Sequence, residues 1–254
     1  MIAGEVCRPV GAPVAVYSWA MNSTQPAASP EQMANRASPG VSADHPGVDE
    51  LFALLAYGEV AAFYRLTDEA RMAPNLAGRI NMASMAAAEM NHYEVLRDEL
   101  ERRGVDVVPA MTRYASALEN YHRLTTPSTW LEALVKTYIG DALAADFYLE
   151  IADSLPGEVA DVVRAVLSET GHSQFVVAEV RAAVTASQKQ RHRLALWSRR
   201  LLGEALTQAQ YVLADHDELV DLVMSSGEGL SQMTEFFDRL QRTHSTRTHE
   251  LGLA

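Results

Sequence analysis

The chain has a single cysteine, Cys7, among 254 residues, so no disulfide can form within it. Such scarcity is typical of a reducing compartment, and we expect a cytoplasmic location. The chain also lacks the roughly 18 uninterrupted apolar residues that a membrane-spanning helix needs, so we expect no membrane association. Its first residues have no basic leading segment, and Arg8, Pro9 and Pro13 interrupt their apolar run, so we expect no signal peptide.

Positive charge is also scarce. Twenty-one Lys and Arg face 33 Asp and Glu, which gives a formal net charge of −12. This balance argues against nucleic-acid or anionic-membrane binding over a broad surface, although a local basic patch remains compatible with it. One dense group of basic residues, here called the basic cluster, is the place where an anionic partner such as RNA could dock: Lys189, Arg191, Arg193, Arg199 and Arg200.

Alternating β-branched runs are absent, and apolar residues recur at spacings of three and four, which predicts an all-α fold. Residues 1–46, rich in Pro, Ala, Ser and Gly, are predicted to be a flexible leader, and residues 47–254 a helical domain. The stretch 105–127 is interpreted as a connection. Breakers and caps divide the rest into six predicted helices, at about 48–72, 75–103, 128–155, 158–186, 188–214 and 217–243, the last interrupted at 225–229. Helices of 25 to 30 residues are about 40 Å long, the scale of a four-helix bundle.

One predicted core stripe, on the second helix, contains a carboxylate and an imidazole. Its members at helical spacing are Met82, Met85, Ala86, Glu89, His92, Tyr93 and Leu96. An unpaired charge inside a protein costs several kcal/mol, so a buried acid is normally paired with a cation or bound to a metal.

The fourth predicted helix repeats the pattern, because Glu169 and His172 interrupt a stripe of Val and Ala. A third Glu-x-x-His pair, Glu119 and His122, lies in the connection without a matching partner, and we interpret it as a decoy. The first and third helices each add one acid after a glycine, Glu59 and Asp141. The chain is therefore interpreted as one two-helix hairpin used twice.

The four helices together offer four carboxylates and two imidazoles: Glu59, Glu89, His92, Asp141, Glu169 and His172. This is the donor set of ferritin-like dinuclear sites, and it suits two iron ions or an iron and manganese pair. Asp146 is the alternative to Asp141, but the two lie about 140° apart around the helix axis, and Asp141 alone follows a glycine as Glu59 does. The competing interpretation is a metal-free core in which Arg or Tyr satisfies the acids, yet neither Glu-x-x-His stripe contains a Lys or Arg.

Two further groups of polar residues are candidates. Glu204 follows a glycine on the fifth helix and is interpreted as structural or as a support for metal ligands, since no Glu-x-x-His follows it. His244 and His249 are five residues apart, a poor helical pairing, and we expect both to be solvated.

These motifs resemble those of the ferritin-like superfamily, and more narrowly those of the actinobacterial tRNA methylthio-isopentenyl-adenosine hydroxylase-like proteins. The resemblance covers about residues 48–186, with additional helices over about 188–250, and maps the family's metal ligands onto the six residues above. It implies a non-haem diiron monooxygenase that uses O2 to hydroxylate an isopentenyl group on a tRNA nucleoside, with no catalytic residue beyond the metal ligands. Two electrons would come from an external donor, since no flavin or nicotinamide motif is present. The alternatives are an iron-binding or peroxide-handling ferritin-like protein without an organic substrate, and a metal-free helical scaffold.

Overall fold

The computed structural model describes residues 41–153, 155–167, 173–224 and 230–254, and these residues form helices without any strand. The all-α prediction is confirmed. Within the same residues, no helix is both long enough and apolar enough to cross a membrane. Of the predicted leader, residues 1–40 lie outside the described part of the chain.

Six helices carry or surround the candidate site and its supports, and four shorter ones connect or brace them. In chain order they are α1 Pro46–Glu69, α2 Leu76–Arg102, α3 Val107–Thr112, α4 Ala115–Leu124, α5 Trp130–Ala152, α6 Gly157–Val166, α7 Ser173–Ala186, α8 Gln188–Asp215, α9 Asp217–Met224 and α10 Leu230–Glu250. A 3-10 turn, Ala70–Met72, extends α1.

Local capping explains several boundaries that the sequence predicted. Asn75 caps α2 by accepting a hydrogen bond from the Gly78 amide at 2.8 Å. Gly104, with φ of 75°, follows the end of α2 in the left-handed conformation that glycine adopts at low cost. Thr129 caps α5 through the Glu132 amide, while the Glu132 carboxylate accepts from the Ser128 amide, close to the predicted capping box.

Two predictions of element layout were wrong. The stretch 105–127 contains two helices, α3 and α4, because Val107, Ala110 and Met111 bury one apolar face of a six-residue helix. The predicted fourth helix is not one continuous rod in the described residues, since α6 ends at Val166 and α7 begins at Ser173. Residues 168–172 lie outside the described part.

The core has two apolar clusters, and α1 and α2 contribute to both. The first half of α1, from Leu51 to Ala56, packs with Leu96 and Leu100 of α2. Leu66 near the end of α1 packs in the second cluster with Met82, Met85 and Ala86 of α2 and with residues of α5, α7 and α8. Glu59, Glu89 and His92 lie on these helices between the two sets of apolar contacts. Their polar groups are thus confined to one level of the bundle.

Candidate metal centre

Helices α1 and α2 pack along each other and bring three predicted ligands together. Donor atoms of Glu59, Glu89 and His92 all lie within 4.8 Å of one another. His92 Nδ1 is 3.4 Å from Glu59 Oε2 and 3.6 Å from Glu89 Oε2, so one ring nitrogen faces both carboxyl groups. The i, i+3 spacing on α2 places Glu89 and His92 on one face, and α1 adds Glu59 from the opposite side.

Burial and mutual contacts shift the pKa values of all three residues in this group. Hydrogen bonds to Glu59 and Glu89 raise the pKa of His92 to about 9, so its ring is protonated at neutral pH. Burial raises the pKa of Glu59 well above its usual range. The pKa of Glu89 is lowered despite burial, because His92 and the carboxyl group of Glu59 donate to it. The protons held by His92 and Glu59 therefore offset the negative charge of the two adjacent carboxyl groups.

A cavity of about 500 Å³ opens against this group. Most of its wall is apolar and comes from helices α1, α2, α5, α7 and α8, with Leu54, Leu143, Phe147, Val176 and Leu206 among the lining residues. Cavities of this size, with a few convergent polar groups in an apolar wall, are typical of small-molecule sites.

Asp141 faces the same cavity from α5, but a buried cation holds it. Arg65 of α1 donates to Asp141 Oδ1 at 2.8 Å, and the side chain of Asp141 is 40% accessible because the cavity borders it. Burial raises the pKa of Asp141 to about 7, although the Arg65 guanidinium opposes the shift. Asp141 is not part of the three-residue group, so its role as a ligand stays a prediction.

Sequence reasoning missed the polar network around Asp141. Arg65 also donates to Glu69 and Thr137, and the ammonium of Lys136 lies 3.5 Å from Glu69 Oε1. Arg65 and Lys136 expose only 6% and 2% of their side chains. The i, i+4 spacing of Arg65 and Glu69 is a signal of pairing on α1. No feature of the sequence alone connects that pair to α5.

The second predicted half of the centre is only partly described. Glu169 and His172 lie outside the described residues, so the structure does not place them. Asp146, the alternative to Asp141, points elsewhere and pairs with Arg247 of α10. Of the two aspartates, Asp141 is the one that borders the cavity beside Glu59 and Glu89.

The remaining candidates take separate places. Glu119 accepts a hydrogen bond from the Tyr57 hydroxyl at 2.8 Å and is not in the three-residue group, whereas His122 borders the cavity. Burial, with Arg65 and Lys136 nearby, lowers the pKa of His122 to about 2 and keeps it neutral.

Two other predictions concerned polar residues away from the cavity. The prediction that His244 is solvated was wrong, because α10 packs on α8 and buries its ring with Nε2 3.3 Å from Ser198 Oγ. His249 is exposed, as predicted, and Glu204 is half-buried on α8.

The basic cluster lies on the first half of α8 with mixed surroundings. Lys189 and Arg199 are exposed. Arg193 donates to Glu132 Oε1 at 2.9 Å, and Arg200 donates to the Leu124 carbonyl while lying over the Trp197 ring. Arg191 is half-buried. Part of this positive charge is therefore engaged within the chain.

The donor chemistry of the three-residue group fits a first-row divalent metal. Two carboxylates and one imidazole nitrogen are ligands that iron and manganese accept, and all three reach a common point. A metal ion would take the place of the His92 proton, because Nδ1 is the atom directed at both carboxyl groups.

Comparison with known proteins adds one finding at the family level. A family model described as "Ferritin-like domain, actinomycetes" matches residues 43–226, which is well over half of the chain and includes all of the described helices except α10. No curated protein matches the chain significantly.

Proposed function

The chain belongs to the ferritin-like domain family of actinomycetes, and from this premise we propose that it is a metal-dependent oxidoreductase that uses O2 to hydroxylate an apolar group bound in the cavity. The observation that carries the proposal is the position of Glu59, Glu89 and His92 beside a largely apolar cavity of about 500 Å³. The proposed metal ligands therefore border a cavity large enough for an organic group.

The substrate we propose is the isopentenyl group of a modified adenosine in tRNA. Hydroxylation of such a C–H bond by O2 takes two electrons and two protons and releases one water, with the other oxygen atom retained by the substrate. The electrons would come from an external donor, because the sequence contains no flavin or nicotinamide motif.

In the proposed reaction, the polar residues of the site would hold the metal, and the apolar residues of the cavity would bind the substrate. A bound iron, or an iron and manganese pair, would supply the redox chemistry, held by Glu59, Glu89 and His92 and, in a dinuclear centre, by Asp141, Glu169 and His172 as well. Apolar cavity residues such as Leu143 and Phe147 exclude water and hold the aliphatic group against the centre. His92 must lose its proton before its Nδ1 can ligate a metal.

The tRNA itself would dock on the basic cluster. Lys189 and Arg199 are the residues most available for phosphate, since both are exposed. Arg199 uses only its Nε within the chain, at 3.3 Å from the Ala195 carbonyl, whereas Arg193 pairs with a carboxylate and Arg200 donates a shorter bond to the Leu124 carbonyl. Replacing Lys189 and Arg199 together by Glu is expected to weaken tRNA binding and reduce its salt dependence while leaving the melting temperature unchanged. Equal binding by the variant and the wild type would remove this surface from the proposal.

Nucleoside analysis of cellular tRNA tests the substrate. In a deletion strain, hydroxylated isopentenyl adenosine should disappear and its unhydroxylated precursor should accumulate. Wild type and Glu119→Ala should restore it, and Glu89→Ala should not, because only Glu89 belongs to the three-residue group. An unchanged nucleoside profile in the deletion strain would contradict this substrate, and peroxide consumption by the metal-loaded protein would then favour a peroxide-handling role.

A further inference from the structure

Asp141 is the one predicted ligand in the described residues that accepts a hydrogen bond from a guanidinium. The Arg65 guanidinium donates to Asp141 Oδ1 at 2.8 Å, which leaves one carboxylate oxygen free of this contact. In contrast, the carboxyl groups of Glu59 and Glu89 face the protonated ring of His92. The cavity thus contains two kinds of partner for its carboxyl groups, the imidazole of a proposed ligand at one position and a guanidinium at the other.

Arg65 is held firmly in this position. One terminal nitrogen donates to Glu69 Oε2 at 3.2 Å and to Thr137 Oγ1 at 3.0 Å, and the other donates to Asp141. Its acceptors therefore come from both α1 and α5, and only 6% of its side chain is exposed. A buried guanidinium stays charged and needs such acceptors to offset its desolvation, so Asp141 stabilises Arg65 in the core and Arg65 offsets the charge of Asp141.

From this geometry we propose that Arg65 competes with a metal cation for Asp141. The inference rests on the proposed metal centre and adds an order of binding to it. The first ion binds at Glu59, Glu89 and His92, where no guanidinium contact exists in the described structure. A second ion that uses Asp141 must displace the guanidinium from this carboxylate, and it binds more weakly for that reason.

The displacement is feasible because Arg65 would keep two of its three acceptors. Glu69 and Thr137 lie on the side of the guanidinium away from the Asp141 contact, bonded to the other terminal nitrogen. The ion pair between Lys136 and Glu69, 3.5 Å long, does not involve Asp141 and would stay in place. Arg65 is therefore a positioning residue that sets metal stoichiometry, not a ligand.

An anaerobic Fe²⁺ titration of the full chain, read by equilibrium dialysis and metal analysis, tests the competition. In Arg65→Gln, the affinity for the second ion should be at least about tenfold higher than in wild type. The ion no longer has to break the charged hydrogen bond between Arg65 and Asp141. The first ion should gain less affinity than the second, because Arg65 hydrogen-bonds Asp141 but acts on the first-ion ligand Glu89 only through its charge. Asp141→Asn should abolish the second binding step both in the wild-type background and combined with Arg65→Gln.

Arg65→Lys provides a second test if the Gln variant folds poorly, as judged by circular dichroism. It retains the buried charge but cannot reach three acceptors at once, so a smaller gain in second-ion affinity is expected. An unchanged second-ion affinity in a folded Arg65 variant overturns the competition while leaving the first site intact. The absence of any bound ion in wild type and variants overturns both this inference and the proposed function.

Discussion

At the scale of single residues, His92 links metal binding to pH. Its Nδ1 lies 3.4 Å and 3.6 Å from the two carboxyl groups, which stabilise the protonated ring and raise its pKa to about 9. A metal ion and this proton require the same nitrogen. The proton must leave whenever the ion binds, and the pH of the solution therefore enters the binding equilibrium.

The apparent affinity for Mn²⁺ is expected to rise by at least about tenfold per pH unit between pH 6.5 and 8.5, since His92 releases one proton and the buried Glu59 carboxyl group can release another, and to level off near pH 9. The sign follows from the raised pKa, because His92 is protonated throughout this range and becomes easier to deprotonate as pH rises. Titrations at three pH values, followed by the electron paramagnetic resonance signal of free Mn²⁺, measure it. An affinity independent of pH would contradict the assignment of His92 as a ligand.

His92→Ala should lower metal affinity by at least about tenfold, the order of effect expected when one of three ligands is lost. The helical signal should stay the same, because His92 is flanked by buried residues that hold α2 in place without it. Glu119→Ala is the matched control, since this acid belongs to another Glu-x-x-His pair but bonds Tyr57. Equal loss of affinity in both variants would contradict the assignment of His92 as a ligand.

The sequence allowed part of this site to be predicted, for a physical reason. Helical spacing alone places Glu89 and His92 on one face of α2. Because α1 and α2 are long and consecutive, their packing against each other is also predictable, and it brings Glu59 to the same site. Arg65 and Lys136 were not predicted because they reach the cavity from α1 and α5, outside the two Glu-x-x-His stripes. Which side chains meet across helices depends on tertiary packing that periodicity does not encode.

At the scale of helices, the first turn of α1 packs closely against α9 at Gly47. An added Cβ at Gly47 would lie 2.3 Å from the Glu218 carbonyl oxygen and 2.7 Å from Leu222 Cβ. The first of these is backbone, which cannot move aside as a flexible side chain can. Gly47 therefore allows the two helices to approach.

Gly47→Ala should destabilise the protein by about 1–3 kcal/mol, the usual cost of overpacking. Gly203→Ala, the same substitution in the middle of α8, should stabilise it by up to about 1 kcal/mol, because its Cβ would meet nothing within 4 Å and alanine favours a helix. Urea denaturation of both variants measures the difference. Shifts of the same sign would show that the contact with α9 does not control stability.

The helix boundaries were more predictable than the short elements. Asn75, Gly104 and Thr129 mark helix ends through local hydrogen bonds or backbone conformation, which the sequence encodes directly. The helices α3 and α4 have 6 and 10 residues, too few turns for a clear period, and they form because they pack on the rest of the chain.

At the scale of the whole molecule, metal binding should contribute to stability. An ion that binds the folded chain alone adds about 2.7 kcal/mol at a concentration 100 times its dissociation constant. For a domain of this size the melting temperature should rise by about 5–10 °C. Thermal melts with Mn²⁺ and with a chelator measure the shift, which Glu89→Ala should abolish. A shift retained in that variant would place the stabilising ion elsewhere.

The helix α10 lies beyond the family match at residue 226 but contributes to the same molecule. Leu240 and Arg247 line the cavity, and Arg247 pairs with Asp146 of α5. The cavity wall of this chain therefore includes a part that the family model does not cover.

The most direct measurement of the metal centre is anomalous diffraction at the iron absorption edge from crystals of protein grown with iron. We expect a peak bounded by Glu59 and Glu89 oxygens and His92 Nδ1, at roughly 2.0–2.3 Å from each, as for metal bonds to such donors. No peak at this position, with His92 still paired to the two carboxyl groups, would contradict the metal centre and with it the proposed oxygen chemistry.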